Sequence, residues 1–385
     1  WALMEPAKAP PASWPEAERA RFTTDLTAAV TDVAAAYRRY RALLADEILP
    51  RAGAGEGLAA MPLLKTCYAA RIRQQTGVTR SAAELHALGV EEIARTDAEL
   101  TALGGKRLGT ADLATLLQKL RSDPALYFAS ADEVMATARD ALASAQAAVP
   151  RVFHHLPKAP CVVVPVPDYE APFNTIAYYR EPHPDGSKPG EYFVNTYQPT
   201  TRPRYEARVL AYHESVPGHH LQVALAMELG ELPEFRRFGG NTAFIEGWAL
   251  YTERLADELG LYPDDLDRIG MLSYDAWRAS RLVVDTGIHD LGWTRKQAED
   301  YMLAHTALAA NNIANEVDRY IAWPGQALAY KVGQLEILRL RDHARAALGG
   351  GFDLAGFHDV VLGHGAVTLP VLADQVDRWI ADQKK

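Results

Sequence analysis

The residues best suited to chemistry lie in one segment, His213-Glu214-Ser215-Val216-Pro217-Gly218-His219-His220. A histidine followed directly by a glutamate is typical of zinc helices, in which the histidine binds the metal and the glutamate acts on the bound water. Such helices place the second histidine about one turn later, so that both rings reach the same ion. Here the next histidines come six and seven residues after the first. An ideal helix could not bring either of them to an ion held by His213.

The residues between the histidines predict a distortion that corrects this spacing. Pro217 has no amide hydrogen to give to the His213 carbonyl, and its ring collides with that carbonyl in a helix. Gly218 adopts backbone conformations that other residues resist, and helix bulges are frequent at functional sites. We therefore predict a bulge that makes His213 and His219 the metal-binding pair, with His220 as the alternative second ligand.

A third candidate ligand is Glu246, which lies in an apolar stretch between Ile245 and Trp248. A carboxylate on an apolar helix face is costly unless it is paired or bound to a metal. Two histidines and a glutamate with an open fourth position are a catalytic zinc pattern, because a water must bind there. Glu214 would then be the general base that takes a proton from this metal-bound water. Glu253, further along the stretch, is expected to support the ligands or to face solvent.

Other residues could stabilise the oxyanion that peptide hydrolysis creates, a task that positioned donors usually share with the metal. The candidates are Tyr330 and Lys331, which follow a predicted helix break, and His289. For each of them, simple packing or solvation is the alternative interpretation. Arg281 could anchor a substrate carboxylate, although a structural ion pair is the favoured interpretation. His364, between two glycines, is a further candidate for the cleft.

The elements that must position these residues are predicted to be mainly helical. Apolar residues at three-to-four spacing predict a long helix over residues 22–49. Further helices are predicted at residues 81–103, 109–120, 131–148 and 204–229, and the chain after Pro203 is helical almost to its end. β-Branched and aromatic residues separated by turns predict three short strands within residues 161–197. The expected fold is therefore mainly α, with a small and mostly antiparallel sheet near the active-site cleft.

These patterns divide the chain into three regions. Residues 1–20 are rich in alanine and proline and are expected to form a loose lead-in, followed by a helical region at 21–160. Residues 161–385 would be the catalytic region, with the sheet at 161–197 and the zinc helix at 204–229. One continuous globular unit is the alternative.

Composition excludes several classes of function. The 385 residues are 48% hydrophobic and 23% charged, which is ordinary for a soluble globular protein. A net charge of −9 argues against a nucleic-acid surface, and no apolar run is long enough to span a membrane. The two cysteines, Cys67 and Cys161, are interpreted as buried thiols, with one disulfide as the alternative. The N-terminus lacks a signal peptide but does not begin with methionine, so cytoplasmic location and export from a processed precursor both stay open.

Three motifs resemble the bacterial family of domain of unknown function 885. They are H-E-S-V-P-G-H-H-L-Q at residues 213–222, F-I-E-G-W-A-L-Y-T-E at 244–253 and W-P-G-Q-A-L-A-Y-K-V-G at 323–333. The likeness runs from about Tyr37 to the C-terminus. Members of this family are widely described as predicted zinc metallopeptidases, so the resemblance implies a helical metallopeptidase-like fold with a substrate channel.

A more distant resemblance concerns Gly218-His219 followed by a helix, which is similar to the H-E-x-G-H helix of thimet-type oligopeptidases and thermostable carboxypeptidases. Those enzymes bind zinc through both histidines and a downstream glutamate, which implies His213, His219 and Glu246 here. In such enzymes an edge strand can hold an extended peptide by backbone pairing. The strand at residues 192–197 is our candidate for this role.

These features together predict a zinc-dependent hydrolase, and specifically a peptidase that acts on short peptides or chain ends. The first alternative is a metal-dependent amidase or esterase for non-peptide substrates, because Glu214 and the metal would serve equally well. The second alternative is an inactive metal-binding scaffold, which Glu214 argues against because a structural site needs no base. The expected ligands are a peptide or small amide and Zn²⁺ or another divalent ion. The sequence does not indicate the oligomeric state.

Overall fold

The computed structural model describes residues 1–53, 55–61, 63–64, 66–110 and 112–385. They form two compact units, one of Trp1–Gly55 with Pro167–Phe173 and the other of Glu56–Val166 with Asn174–Lys385. The region boundaries that we predicted at residues 20 and 160 do not coincide with these units. All of the candidate ligands belong to the second unit.

Helices dominate the described residues, which confirms the mainly α class. The helices are α1 (Glu5–Lys8), α2 (Glu16–Ala42), α3 (Cys67–Thr76), α4 (Ala82–Leu108), α5 (Leu113–Ser122), α6 (Ala131–Ala148), α7 (Ala207–Glu214), α8 (His219–Glu228), α9 (Glu234–Arg237), α10 (Thr242–Glu258), α11 (Asp265–Thr286), α12 (Arg295–His305), α13 (Ala310–Ala322), α14 (Leu328–Leu348), α15 (Leu354–Leu362) and α16 (Leu369–Gln383). Of the helix predicted at 109–120, Ala111 lies outside the described residues.

The first unit contains α1 and α2. Helix α2 begins at Glu16, inside the stretch that we predicted to be a loose lead-in. An acidic residue in the first turn favours a helix start, because it interacts well with the positive end of the helix dipole. Edge-to-face ring contacts join Trp14 to Phe22 and Trp1 to Tyr37. Aromatic packing therefore orders this N-terminal stretch.

In the second unit, polar side chains cap the first turns of several helices, one of them at the predicted start. Ser81 and Glu84 form the expected capping box at the start of α4. The Asn241 side chain accepts a hydrogen bond from the Phe244 amide at the start of α10, and Asp264 caps α11 in the same way. These caps set the first residues of the helices that carry much of the candidate site.

The sheet consists of β1 (Cys161–Pro165), β2 (Ala177–Arg180) and β3 (Gly190–Val194), in the order β1-β3-β2. Strands β2 and β3 pair antiparallel, whereas β1 and β3 pair parallel. The sheet is thus mixed, and the mostly antiparallel arrangement we predicted is wrong for one of its two pairings. The reason is that β2 and β3 follow each other through a short turn, while β1 joins the far side of β3. Strand β3 is therefore central, so the edge strand predicted at residues 192–197 is wrong.

The core of the second unit is organised around α11, whose residues are almost all buried from Ile269 to Thr286. Helices α10 and α14 cross at very close range, because a Cβ on Gly247 or Gly333 would collide with the backbone of the other helix. Glu246 directly precedes the first of these glycines, and Tyr330 lies one turn before the second. The glycine contact therefore brings the two side chains toward the same region.

Two predictions about the whole chain can also be compared with the structure. The described part of the chain contains no helix with both the length and the apolarity needed to cross a membrane. Cys67 and Cys161 are both free, which agrees with the expectation of thiols. Cys67 is exposed, however, because it lies at the first turn of α3, so only Cys161 is a buried thiol.

Candidate metal centre

The helix that carries the candidate ligands is interrupted where the sequence predicts a distortion. Helix α7 ends at Glu214 and α8 begins at His219, and the peptide bond between Val216 and Pro217 is cis. The single helix predicted at 204–229 is therefore two helices, and the predicted bulge is a complete break at residues 215–218. The break gives α8 a direction that is independent of α7.

Specific contacts hold this break in place. A side chain at Gly218 would collide with the carbonyl oxygen of His213, so only glycine fits there. The indole nitrogen of Trp248, on α10, donates a hydrogen bond of 2.9 Å to the Pro217 carbonyl. The His220 amide donates to the Ser215 carbonyl at 3.0 Å across the break. Helix α10 thus fixes the turn between the two histidines and also carries Glu246.

The structure brings together the three residues that the sequence suggested as ligands. One carboxylate oxygen of Glu246 lies 3.6 Å from Nε2 of His213 and 3.6 Å from Nε2 of His219. One donor atom from each residue lies within 4.8 Å of the others. Ligands of a tetrahedral zinc ion at about 2.0–2.1 Å are separated by roughly 3.3 Å. The donor set and its spacing therefore fit a zinc ion after small side-chain movements.

The electrostatics of this cluster favour a positive charge. Burial alone would lower the pKa of His213, but contacts with Glu246 and Glu253 outweigh it and raise that pKa to about 9. Burial would raise the pKa of Glu246, but the His213 hydrogen bond, the nearby histidine charges and the Tyr330 hydroxyl lower it to about 2. Burial lowers the pKa of His219. A bound metal would compete with the proton on His213.

Glu253 supports the candidate ligand His213. Nδ1 of His213 donates a hydrogen bond of 2.8 Å to Oε1 of Glu253, and both side chains are buried. A ring that donates from Nδ1 keeps Nε2 directed at the metal position, as is usual for histidine ligands. Of the two roles that the sequence left open for Glu253, the geometry favours support over solvent exposure.

His220, the alternative second ligand, lies against the sheet. Its Nε2 donates to the Ala159 carbonyl at 3.1 Å, and its Nδ1 accepts from the Tyr179 hydroxyl at 3.0 Å. Burial lowers its pKa to about 4. Both ring nitrogens are therefore engaged away from His213. The geometry places His219 beside His213 and His220 outside the cluster.

The candidate ligands line a pocket of about 400 Å³, and Glu214 and Tyr330 line it as well. The edge strand β2 borders this pocket, which corrects the strand predicted to lie there. Three arginines also contribute to the lining: Arg278, Arg281 and Arg319. Our sequence analysis singled out only Arg281 among them. The spacing of Arg278 one turn before Arg281 on α11 was the available signal.

Arg281 combines the two interpretations that the sequence left open. Its Nη2 donates to Glu316 at 2.9 Å and its Nε donates to the Tyr320 hydroxyl at 3.0 Å, so the structural ion pair exists. The guanidinium also stacks 4.3 Å from the ring centre of Tyr330 and lines the pocket. Arg319 donates to the Tyr330 hydroxyl at 3.2 Å. The arginines therefore hold Tyr330 in the pocket wall.

His289, predicted as a catalytic residue, does not line the pocket. Its Nδ1 accepts from the Leu58 amide at 3.0 Å, and its Nε2 donates to the Tyr320 carbonyl at 2.9 Å. The ring is fully buried, where the end of α11 packs against the chain near Leu58. The structure therefore does not bring His289 to the candidate metal centre, and the residue joins two chain segments.

Lys331 and His364 also lie outside the pocket lining. The Lys331 ammonium is buried and pairs with Asp275 at 2.6 Å and with Glu92 at 2.9 Å. The His364 ring contacts the Val360 carbonyl at 3.3 Å. Lys331 is thus a structural cation, because the next helical position after Tyr330 faces a different side of α14. Of the helpers proposed from the sequence, Tyr330 and Arg281 line the pocket.

The fold and the cluster define a mainly helical protein with a two-histidine, one-glutamate arrangement in a pocket. The profile of the family described as "Bacterial protein of unknown function (DUF885)" matches residues 2–376. The chain therefore belongs to this family. None of the curated proteins matches the chain.

Two solved structures are similar to this chain. A "putative lipoprotein" from Colwellia psychrerythraea is 35% identical, with a TM-score of 0.93 over 99% of this chain and 66% of that one. A "putative lipoprotein of unknown function" from Shewanella oneidensis is 20% identical, with a TM-score of 0.73 over 97% of this chain and 69% of that one. This chain thus spans about two thirds of the length of both relatives. The second likeness concerns the fold alone.

Proposed function

We propose that this protein is a zinc-dependent hydrolase, and specifically a peptidase that acts on short peptides or chain ends. The observation that carries the proposal is the convergence of donor atoms from His213, His219 and Glu246 within 4.8 Å. Glu214, which a structural site would not need, lines the same pocket. A two-histidine, one-glutamate set leaves one tetrahedral position for water or substrate, as catalytic zinc sites require.

Several residues of the pocket have separate roles in the proposed hydrolysis. A bound zinc ion would supply a Lewis acid and lower the pKa of a water molecule. Glu214 is the general base that takes a proton from the attacking water and delivers it to the leaving amine. Glu253 keeps His213 in the tautomer that leaves Nε2 available, through the hydrogen bond of 2.8 Å.

Tyr330 is the residue we assign to the oxyanion. Its hydroxyl oxygen accepts a hydrogen bond of 3.2 Å from Arg319. It lies close enough to Glu246 to help lower the pKa of that carboxyl. A hydroxyl held beside the metal position can donate to the oxygen that becomes negative during peptide cleavage.

The size of the pocket supports a small substrate. A volume of about 400 Å³ is at the lower end of the roughly 300–1,000 Å³ of ligand pockets. The lipoprotein name of the 35% identical relative supports, as part of the same proposal, a place of action outside the cytoplasm.

The test combines metal analysis with hydrolysis of a peptide library by Glu214→Gln and Glu246→Gln. We expect Glu214→Gln to keep zinc and to lose about 100- to 10,000-fold in kcat/KM, the usual contribution of a general base. We expect Glu246→Gln to lose most of its zinc, because a charged ligand is removed.

Glu231→Gln is the matched control, since Glu231 is exposed and lies outside the pocket. It should keep both zinc and activity. Wild-type activity in both pocket variants would refute the mechanism. Cleavage of small amides or esters, with no cleavage of any peptide, would instead support the amidase or esterase alternative.

A further inference from the structure

Three guanidinium groups lie on one wall of the pocket, those of Arg278, Arg281 and Arg319. We call these residues the arginine wall. Glu316 is shared by two of them: it accepts from Arg281 at 2.9 Å and from Arg319 at 3.4 Å. Among the described residues, the third guanidinium, that of Arg278, has no hydrogen-bonded carboxylate: Glu253 is 3.7 Å away and already accepts from a histidine, and Glu206 interacts with Arg278 through its charge. Of the three guanidinium groups, Arg278 therefore has the least saturated hydrogen-bond donors.

The arginine wall also contains hydrogen-bond donors that have no acceptor. Nε and Nη1 of Arg278 and Nη1 of Arg281 are buried and lack a hydrogen-bond partner among the described residues. The two side chains are only 4% and 2% exposed. Buried charged donors are normally paired, so each exception calls for an explanation such as a ligand. Three such nitrogen atoms on neighbouring turns of α11 suggest an anion that binds here.

Aromatic rings fix the orientation of these guanidinium planes. Arg278 stacks 4.3 Å from the ring centres of both Tyr274 and Trp277, and Arg281 lies 4.6 Å from Trp277 and 4.3 Å from Tyr330. Rings that cover the faces leave the edges of a guanidinium for hydrogen bonds. Such a pre-oriented edge matches the planar, two-oxygen geometry of a carboxylate.

The arginine wall is joined to the candidate metal centre by single side chains. Glu253 lies 3.7 Å from Arg278 and accepts from the ligand His213. Tyr330 stacks on Arg281 and contributes to the lowered pKa of the ligand Glu246. An anion at the wall would therefore lie in the same small pocket as the bond that the metal centre would cleave.

We propose that the arginine wall binds the free C-terminal carboxylate of the substrate, which makes the protein a carboxypeptidase or dipeptidase. This inference rests on the proposed hydrolase function and narrows its substrates to peptides with a free carboxyl end close to the scissile bond. Arg278 supplies donors that no group of the described residues uses, and Arg281 supplies one more nitrogen. Arg319 adds charge from the more exposed rim.

The experiment compares the tripeptide Ala-Phe-Ala with the same tripeptide carrying a C-terminal amide. Binding of each peptide to zinc-loaded Glu214→Gln protein is measured by calorimetry, because this variant should not consume them. We expect the acid to bind at least about tenfold more tightly than the amide, since the amide lacks the charge. Adding Arg278→Met or Arg319→Met to this background should reduce the preference to about twofold or less.

Arg339→Met is the matched control in the same background. Arg339 is exposed on α14, pairs with Glu336 and lies outside the pocket, so the preference for the acid should persist. Arg319 is about one third exposed, so its variant should fold even if Arg278→Met does not. Equal binding of acid and amide, or a preference that survives in every folded variant of the arginine wall, would overturn the proposal.

Hydrolysis of the same two peptides by protein with Glu214 intact separates this inference from the proposed function. Selective binding of the acid without any hydrolysis would leave the carboxylate subsite standing and count against the hydrolase. Equal hydrolysis and equal binding of both peptides would support the hydrolase and refute the subsite.

Discussion

Two clusters of buried charge share helices α10, α11 and α14, and they differ in how their charges are satisfied. In the first, which we call the Asp275 cluster, Lys331 pairs with Asp275 and Glu92, while Arg254 and Arg95 add further ion pairs. Each carboxylate there meets at least two cations. The charged groups of this cluster are thus paired with one another, and the cluster holds the helices together.

The second cluster is the candidate metal centre with the adjoining arginine wall. Its three proposed ligands converge on one point, and donors of Arg278 and Arg281 lack partners among the described residues. Tyr330 and Lys331 are consecutive, yet the first lines this pocket and the second belongs to the Asp275 cluster. The comparison shows that the type of a charged residue does not reveal its role. What distinguishes the roles is whether all of its charged and hydrogen-bonding groups have partners within the described protein.

Breaking the Asp275 cluster should give the largest change in stability. Lys331→Met leaves Asp275 and Glu92 buried with one cation fewer. We expect the free energy of unfolding, measured with denaturant, to fall by about 3–5 kcal/mol, as when one partner of a buried ion pair is removed. Lys296→Met, which removes an exposed lysine paired with Asp300, should leave the free energy of unfolding unchanged.

A Lys331→Met protein of normal stability that had lost peptide hydrolysis would contradict this comparison. It would return Lys331 to the catalytic role first considered from the sequence.

Removing the metal should lower the free energy of unfolding by less than Lys331→Met does, and only through the candidate metal centre. A ligand at about 100 times its Kd stabilises the folded state by about 2.7 kcal/mol. We expect wild-type protein treated with a chelator to lose about this much unfolding free energy and to recover it with zinc. Glu246→Gln should respond to neither treatment.

The Lys331→Met variant, with its metal centre intact, should still gain stability from zinc. If it did not, or if Glu246→Gln gained as much as the wild type, the two clusters would not be independent.

The smallest expected effect is a change in how the stability of the Asp275 cluster depends on pH. Burial would raise the pKa of Asp275, but Lys331, Arg254 and Arg95 hold it well below its usual range. A lowered pKa in the folded state gives stability that is fully present above the usual carboxyl pKa and is lost as the pH falls from there to the lowered folded-state pKa. In Lys331→Met the pKa of Asp275 should rise, so protonation at mild acid relieves the unpaired charge.

The loss caused by Lys331→Met should therefore be smaller at pH 4 than at pH 7, by about 1.4 kcal/mol for each unit by which the pKa of Asp275 in the variant exceeds 4. Unfolding free energies of both proteins at these two pH values provide the measurement. A loss that stays constant between them would contradict the prediction that Asp275 takes up a proton at pH 4 in the variant.

Part of the fold and of the site was predictable from the sequence because the causes are local. Apolar periodicity and capping residues such as Ser81 predicted the helices. Pro217 and Gly218 predicted the distortion of the helix. Proline cannot donate a helical hydrogen bond, and glycine leaves room for the nearby carbonyl of His213. The apolar surroundings of Glu246 marked it as a candidate ligand.

Other features depend on contacts between distant segments, and the sequence misled us there. His289 and Lys331 have residue types suited to catalysis, yet each is fully engaged by partners far along the chain. Strand β3 became central because β1 joins it from the opposite side. Arg278 went unnoticed, since nothing near it in sequence shows that its donors lack partners.

The sequence by itself determined the candidate ligands and the place at which the helix between them is distorted. Only the tertiary structure decided that His219 lies beside His213 while His220 lies against the sheet. The physical reason is that a broken helix no longer fixes the direction of its second half. That direction is set by the packing of α10, through Trp248 and Glu246, and by the strands around Tyr179.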